Sequence, residues 1–213
     1  MGVPFDTATT DRLLSTTRAV RKRLDLDRPV ERDVILDCIR LSQQAPTGSN
    51  SQGWRWVIVT EQDKRARLAE LYRSGGAAYM RAAASDEAVP VDEQLARVRE
   101  SARHLLEVID LVPVLAIPCI HGRVTDVRYA ASFFGSIHPA IWSFQLALRS
   151  RGLGSVWTTF HLAHAQEAAD LLGIPADVTQ AAMLPVAYTL GTDFKPAKRQ
   201  PAEEITFWET WQG

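Results

Sequence analysis

The sequence predicts an α+β fold in which helices pack on a mixed central β-sheet. The chain has 213 residues, 46% of them apolar, which is enough for one domain with a sizeable core. Helical and strand patterns alternate irregularly, without the run of equal strand–helix units that a doubly wound parallel sheet requires. No repeat, low-complexity segment or linker divides the chain, so we expect one domain over residues 1–213.

The first half of the chain predicts two helices, a strand and a third helix. The second helix begins at Pro29 and ends at Pro46, and apolar residues recur along it at helical spacing. These residues are Val34, Cys38, Leu41 and Ala45. A polar, turn-forming loop then precedes a strand that is aromatic and β-branched. The four predicted elements cover residues 11–20, 29–45, 54–60 and 63–73.

The second half continues the alternation after a weakly patterned stretch. Residues 75–90 begin with two glycines and are rich in alanine, so we expect a mobile segment there. Predicted helices follow at residues 92–111, 137–148 and 165–172. Predicted strands lie at residues 114–120, within 152–159 and at 181–190. The helix at 137–148 has a broad core face made of Ile137, Ala140, Ile141, Phe144, Ala147 and Leu148.

The last segment, residues 201–213, follows the final core strand and is rich in large apolar side chains. These are Ile205, Phe207, Trp208 and Trp211. A monomer would have little structure left to cover them, so we expect this C-terminal arm to pack on a partner subunit. The alternative is that the arm folds back on its own subunit.

Composition excludes several classes of partner. Lys plus Arg (24) and Asp plus Glu (25) give a net charge of −1, so no overall field attracts nucleic acid or an anionic membrane. Two cysteines, Cys38 and Cys119, form no disulfide framework. Residues 1–11 do not resemble a signal peptide, and the longest apolar stretch, residues 112–120, is too short to span a membrane. We therefore expect a cytoplasmic protein without a nucleic-acid or membrane partner.

Common catalytic motifs are absent from the sequence. It contains no P-loop, no GxGxxG between a strand and a helix and no GxSxG nucleophile elbow. His161 and His164 stand three residues apart without a Cys or a carboxylate pair nearby. Ordinary helix-start histidines explain this pair better than a metal site, so we predict no metal.

Two cationic clusters lie at opposite ends of the chain. Arg18, Arg21, Lys22 and Arg23 fall within six residues, and Lys195, Lys198 and Arg199 form the second cluster. Each alone is typical of a solvated surface, and phosphate binding is the alternative. The clusters become informative only if the fold places them together.

Four blocks of sequence, in order, resemble the FMN-dependent nitroreductase family. Residues 17–23 are similar to its opening Arg-Arg-Ser-x-Arg signature, and residues 45–54 to its Ala-Pro-Ser-x-x-Asn-x-Gln-Pro-Trp loop. Residues 148–159, with Gly152-Leu153-Gly154, resemble its late helix and Gly-Leu-Gly strand. Residues 185–188 and 198–205 resemble its closing strand and Arg-x-Pro-Leu-x-Glu segment. The resemblance extends from about residue 16 to residue 211.

The resemblance implies a homodimer of α+β subunits with FMN in two grooves along the interface. The N-terminal signature and the late basic residues would hold the FMN phosphate, with Arg21 as an alternative contact to the N1–O2 edge of the flavin. The loop at residues 46–48 would come from the other subunit, and residues 157–159 would place backbone groups near N5. The implied cofactor-binding residues are Arg18, Ala19, Arg21, Lys22, Pro46, Thr47, Gly48, Asn50, Gln52, Trp157, Thr158, Thr159, Lys198 and Arg199.

The activity implied by the resemblance is electron transfer from NADH or NADPH, through FMN, to a nitroaromatic, quinone or related small-molecule acceptor in a ping-pong cycle. The cofactor supplies the hydride chemistry, which agrees with the absence of a catalytic acid–base pair. Two alternatives stay open. One is a specialised enzyme on the same fold, such as a reductive dehalogenase or a flavin-fragmenting enzyme. The other is a flavin-sequestering protein without turnover.

Overall fold

A five-stranded antiparallel sheet lies at the centre of the computed structural model, which describes residues 5–85 and 93–211. Its strands are β1 (Trp54–Val59), β2 (Val114–His121), β3 (Leu153–Ser155), β4 (Val178–Gln180) and β5 (Leu184–Tyr188). The strand order is β1-β2-β5-β3, and β4 pairs with β2 beyond the end of β5. All but the last residue of β2 are buried, because β2 has neighbours on both edges and helices on both faces.

Six α-helices surround the sheet in the described part of the chain. They are α1 (Thr7–Thr16), α2 (Arg32–Ser42), α3 (Gln62–Ser85), α4 (Glu93–Val108), α5 (Ala130–Ser150) and α6 (Ala165–Leu172). Helices together with a central sheet confirm the predicted α+β class. Pairing between the named strands is antiparallel, and a parallel bridge joins Ala19 to Ser155. In the same described ranges, no helix combines the length and the apolar character that crossing a bilayer requires.

The two faces of β2 divide the core in two. Leu115, Ile117 and Cys119 pack with α3, the end of α4 and α6. Val114, Ala116 and Ile120 alternate with them and pack with α2 and α5. This alternation follows from the two-residue period of a strand. Burial raises the pKa of the Cys119 thiol to about 12, so this cysteine behaves as an apolar core residue.

Helix α3 continues well beyond its predicted end at residue 73 and extends to Ser85, so the first part of the weakly patterned segment is helical. The remainder of that expected segment, from residue 86, lies outside the described residues. Gly75 and Gly76 sit where the helix touches the 3₁₀ helix Phe160–His164. A Cβ at Gly75 would overlap the Phe160 carbonyl, and one at Gly76 would lie 2.7 Å from Leu106 Cδ2. The glycines therefore serve close packing, which outweighs their low helix propensity.

Other element boundaries also shift. Helix α1 ends at Thr16 instead of residue 20, because the following residues pair with the sheet. Helix α2 ends at Ser42 and buries Ile35, Cys38 and Ser42, so the predicted stripe is wrong at Leu41, which is 49% exposed. The strand predicted at residues 181–190 is shorter, since β5 covers only Leu184–Tyr188, and the short strand β4 that precedes it was not predicted. Between them the chain leaves β2, and Met183 exchanges two backbone hydrogen bonds with Thr158.

His161 is a fully buried side chain next to these elements. Its exposed fraction is 0%, and neither ring nitrogen has a hydrogen-bond partner. Burial lowers the pKa of His161 to about 4, and Gln180 opposes this shift without reaching hydrogen-bond geometry with the ring. The folded protein therefore holds a neutral imidazole in its core near neutral pH.

This histidine is expected to make folding pH-dependent. Its pKa is lower in the folded chain than the ordinary value of 6.5 in an unfolded chain, so stability falls as the pH drops from about 6.5 to about 4. The loss expected from this group is on the order of 3 kcal/mol. Urea unfolding of His161→Leu across this pH range should show a weaker pH dependence than the wild type. His121→Gln, at an exposed histidine, is the control, and equal slopes for His161→Leu and the wild type would refute the assignment.

Candidate functional site

The N-terminal basic segment is held against the edge of the sheet. Val20 N–H donates to the Ser155 carbonyl at 2.9 Å, and Ala19 forms the parallel bridge with Ser155. A Cβ at Gly154 would lie 2.9 Å from Val20 Cβ, so glycine at that position permits this close approach. Val20 points into the core, so its neighbours on either side in the extended segment point outward.

The second basic segment follows β5 and meets the first. Arg18 Nη1 donates to the Lys195 carbonyl at 2.8 Å, although 177 positions separate the two residues in the sequence. This contact places residues 196–199 beside the N-terminal segment. The fold therefore places the two cationic clusters together, as a shared phosphate site would require.

A cavity of about 730 Å³ lies between these segments, α4 and α5. Its lining residues are Thr17, Arg18, Ala19, Arg21, Gln94, Arg97, Val98, Ser101, Trp142, Gln145, Trp157, Pro196, Ala197, Lys198 and Arg199. Five of these are cationic, and no carboxylate belongs to the described lining. Arg97 pairs with Glu93 at 3.2 Å along the exposed side of α4. The other four cations come from the two basic segments, and together they suit an anionic ligand.

Arg21 is the least solvated of these cations. It is half-buried, and its Nη1 donates to Ser101 Oγ at 3.4 Å. Burial lowers its pKa, while the neighbouring Tyr72 and Tyr79 act in the opposite direction. Within the described ranges Arg21 has no ion-pair partner. A partly desolvated charge without a counter-ion is costly, so this position is electrostatically suited to a ligand that carries or develops negative charge.

The predicted cofactor-binding residues fall into two groups. Those lining the cavity are Arg18, Ala19, Arg21, Trp157, Lys198 and Arg199. Those outside its described lining are Lys22, Pro46, Thr47, Gly48, Asn50, Gln52, Thr158 and Thr159. Lys22 instead pairs with Glu100 at 2.5 Å. Both backbone groups of Thr158 bond to Met183, and the Thr159 carbonyl accepts from Leu162 N–H, so backbone contacts to a ligand in this segment would come from Trp157 or from the Thr159 N–H.

The predicted loop lies at the N-terminal half of α5. Gly48 N–H donates to Ser136 Oγ at 3.2 Å, and Gln52 Nε2 donates to Asn50 Oδ1 at 2.8 Å. Ser49 and Asn50 have φ near +53° and +52°, which gives the loop its tight turn. In one chain this loop and the cavity are separate features.

Sequence reasoning missed the walls that α4 and α5 contribute. Gln94, Val98 and Ser101 lie on α4, and Trp142 and Gln145 lie on α5. Gln145 is buried, and its Nε2 donates to Ser155 Oγ at 3.0 Å. The sequence signal that could have identified this wall is Gln145, an amide within a helix face that is otherwise apolar.

The fold and the chain's match to a family model define its class. Residues 14–188 match the model of the nitroreductase family, which is most of the chain, so the protein belongs to the nitroreductase family. This confirms the resemblance found in the sequence.

Two kinds of relative are particularly informative. The chain is 26% identical to iodotyrosine deiodinase 1 of Rattus norvegicus over 199 residues, which are 91% of this chain and 67% of the deiodinase. Among solved structures it is similar to oxidized iodotyrosine deiodinase bound to FMN and 3-iodo-L-tyrosine, with a TM-score of 0.73, 21% identity and coverage of 94% and 99% of the two chains. The FMN-dependent nitroreductase NfnB of Mycobacterium smegmatis, in complex with NADPH, gives a TM-score of 0.70 at 19% identity, covering 96% of this chain and 100% of that one. The structural matches show a shared fold.

Proposed function

We propose that the cavity binds FMN and that the protein is an FMN-dependent oxidoreductase that takes electrons from NADH or NADPH. The acceptor would be a nitroaromatic, a quinone or a related small molecule, reduced in a ping-pong cycle. The observation that carries this proposal is the meeting of two distant basic segments around a cavity that also holds Arg21, which is half-buried and has no ion-pair partner among the described residues. FMN-bound relatives with this fold support it.

The residues present fit FMN in two ways. Arg18, Lys198 and Arg199 are exposed cations at one cavity and would hold the phosphate by charge-assisted hydrogen bonds. Arg21 is the partly desolvated cation and would stabilise negative charge at the N1–O2 edge of the ring. FMN supplies the hydride chemistry when bound. The protein would bind, orient and partly shield the ring, for which Trp157 and Trp142 offer aromatic walls.

We further propose that the functional unit is a homodimer. Large apolar side chains are exposed around α5 in the single chain, among them Val127, Tyr129 and Trp142. An apolar cavity of about 750 Å³ between α2 and the edge strand β1 adds a second uncovered surface. In a dimer the loop at residues 46–52 would reach the partner's cavity, which would explain why it does not line the cavity of its own chain.

The curated relatives favour reductive dehalogenation as a second candidate function. The identity to iodotyrosine deiodinases of Rattus norvegicus and Pongo abelii, 26% and 27%, extends over nine-tenths of this chain. That reaction would use the same FMN site with a halogenated aromatic acceptor. The chain spans about two thirds of the length of these relatives, so their activity is a hypothesis for this protein.

The test is reconstitution followed by turnover. Purified protein should be yellow or become so with FMN, and should then oxidise NADH or NADPH when a nitroaromatic or a quinone is added. Turnover with 3-iodotyrosine but with neither of those acceptors would favour the dehalogenase. A yellow protein without turnover on any acceptor would favour flavin sequestration. Failure to bind FMN at all would overturn the proposed function.

A further inference from the structure

Two guanidinium groups lie over the ring of Phe194, just before the basic segment of the cavity. Arg23 Cζ is 4.3 Å from the centroid of its ring, and Arg149 Cζ is 4.7 Å from it. Aromatic rings attract cations through the negative potential of their faces. Arg23 and Arg149 also influence each other electrostatically, since the charge of Arg23 contributes to lowering the pKa of Arg149 after burial and Arg12. The ring therefore attracts two like charges that otherwise repel each other.

The same two arginines hold the backbone of the turn that leads to Phe194. Arg23 Nε donates to the Leu190 carbonyl at 2.8 Å, and Arg149 Nη2 donates to the Thr192 carbonyl at 2.9 Å. Arg23 also pairs with Asp193 at 2.6 Å. For Arg149 the described residues provide no carboxylate partner, and its Nε is buried without a hydrogen bond. The Thr192 carbonyl and the face of the Phe194 ring therefore both present negative potential to this guanidinium.

Gly191 shows how closely this turn is fitted under Arg23. Its φ is +78°, and a Cβ there would lie 2.6 Å from Arg23 Nη2. Only glycine combines that backbone conformation with the available space. We refer to Arg23, Arg149 and Phe194, with the turn they hold at residues 190–193, as the Phe194 clamp.

The clamp ends one residue before the cavity segment. Lys195, the next residue, accepts the hydrogen bond from Arg18, and residues 196–199 then line the cavity. Phe194 itself does not line the cavity, and Lys198 and Arg199 are exposed cations on an otherwise irregular segment. The segment therefore depends on its ends for its position, and the clamp secures its N-terminal end.

We propose that Phe194 is a positioning residue that places Lys198 and Arg199 at the phosphate of the flavin. The inference rests on the proposed function, because it takes FMN to be the ligand of the cavity. The clamp would act only through the cations that it positions. This distinguishes it from a residue that merely stabilises the fold.

A double-mutant cycle tests this dependence. Phe194→Ala should weaken FMN binding about tenfold, measured by flavin fluorescence, because both ring contacts are lost. In a Lys198→Ala/Arg199→Ala background the same substitution should have less than a threefold effect, since the residues it positions are gone. Phe194→Tyr keeps the ring face and should restore binding to near the wild-type level. Phe5→Ala, at an exposed phenylalanine, is the matched control.

The possible results distinguish a failure of the proposed FMN binding from a failure of the positioning role of Phe194. A wild-type protein that does not bind FMN overturns the proposed function. Wild-type binding with an unchanged affinity in Phe194→Ala, or with an equal loss in both backgrounds, overturns the positioning role alone. If Phe194→Ala does not fold, Phe194→Leu retains apolar volume without a ring face and should give the same pattern.

Discussion

Arg18→Ala is expected to weaken FMN binding about 10- to 150-fold with little loss of fold. A hydrogen bond to a charged group contributes roughly 1.5–3 kcal/mol, which corresponds to this range of affinity. Arg18 is exposed and lies outside the core, so its removal leaves no cavity in the packed interior. It also donates to the Lys195 carbonyl, so the substitution removes one cation and loosens the segment that carries two more.

The controls for this experiment come from the same chain. Arg199→Ala should change FMN affinity in the same direction, because we place both side chains at one phosphate. Arg40→Ala removes an exposed arginine of α2 that pairs with Asp37 and does not line the cavity. The FMN affinity of this variant should equal that of the wild type. FMN retained by Arg18→Ala as firmly as by the wild type would show that the N-terminal cluster is only a solvated surface.

The parts of the fold that could be predicted from sequence are those set by local periodicity. Helix α6 has the predicted bounds, and it ends at Gly173, whose φ of +65° suits the left-handed cap that glycine favours. The core face of α5 is confirmed as well, since Ile137, Ile141 and Phe144 are fully buried. In both cases the pattern lies within a single helix, so the sequence of that helix is enough to predict its bounds or its buried face.

The errors arise where distant contacts decide the structure. Gly75 and Gly76 suggest a break within the sequence of α3, whereas in the fold they allow the helix to pack closely on Phe160 and Leu106. The exposure of Leu41 depends on which side of α2 faces the sheet. Helical spacing alone does not decide between adjacent rows of apolar residues on the same helix. The late start of the last strand follows from Met183, whose backbone pairs with Thr158 instead of with β2. None of these contacts can be recognised from residues that are close together in the sequence.

The candidate site shows the same division. Both basic clusters are visible in the sequence, but their meeting depends on the pairing of Ala19 with β3 and of Arg18 with Lys195. The wall that α4 contributes was not predicted, because an apolar helix residue such as Val98 fits core packing as well as a cavity wall. The loop at residues 46–52 stays a prediction, since its proposed contact is with a second chain.

Deletion of residues 205–213 is expected to convert the proposed dimer into a monomer that has lost its flavin. Three apolar side chains of the arm are exposed in the single chain: Ile205 to 61%, Trp208 to 75% and Trp211 to 79%. The ring centroids of Phe207 and Trp211 are 4.5 Å apart. Burying an aromatic side chain contributes roughly 1.5–3 kcal/mol, so burying Trp208 and Trp211 on a partner would supply a large share of a marginal stability. The flavin would be lost because we expect each FMN groove to need residues from both chains.

Sedimentation and flavin absorbance, measured on the same sample, give the two readouts. Removing only residues 212 and 213 is the control, because it shortens the chain but keeps every aromatic side chain of the arm. That control should stay dimeric and yellow, whereas the longer deletion should lose both properties together. The two losses are linked only if the arm covers the partner and the partner completes the groove. A dimer that keeps FMN after the longer deletion would show that the arm does not hold the subunits together, and the exposed side chains around α5 would then have to account for the interface by themselves.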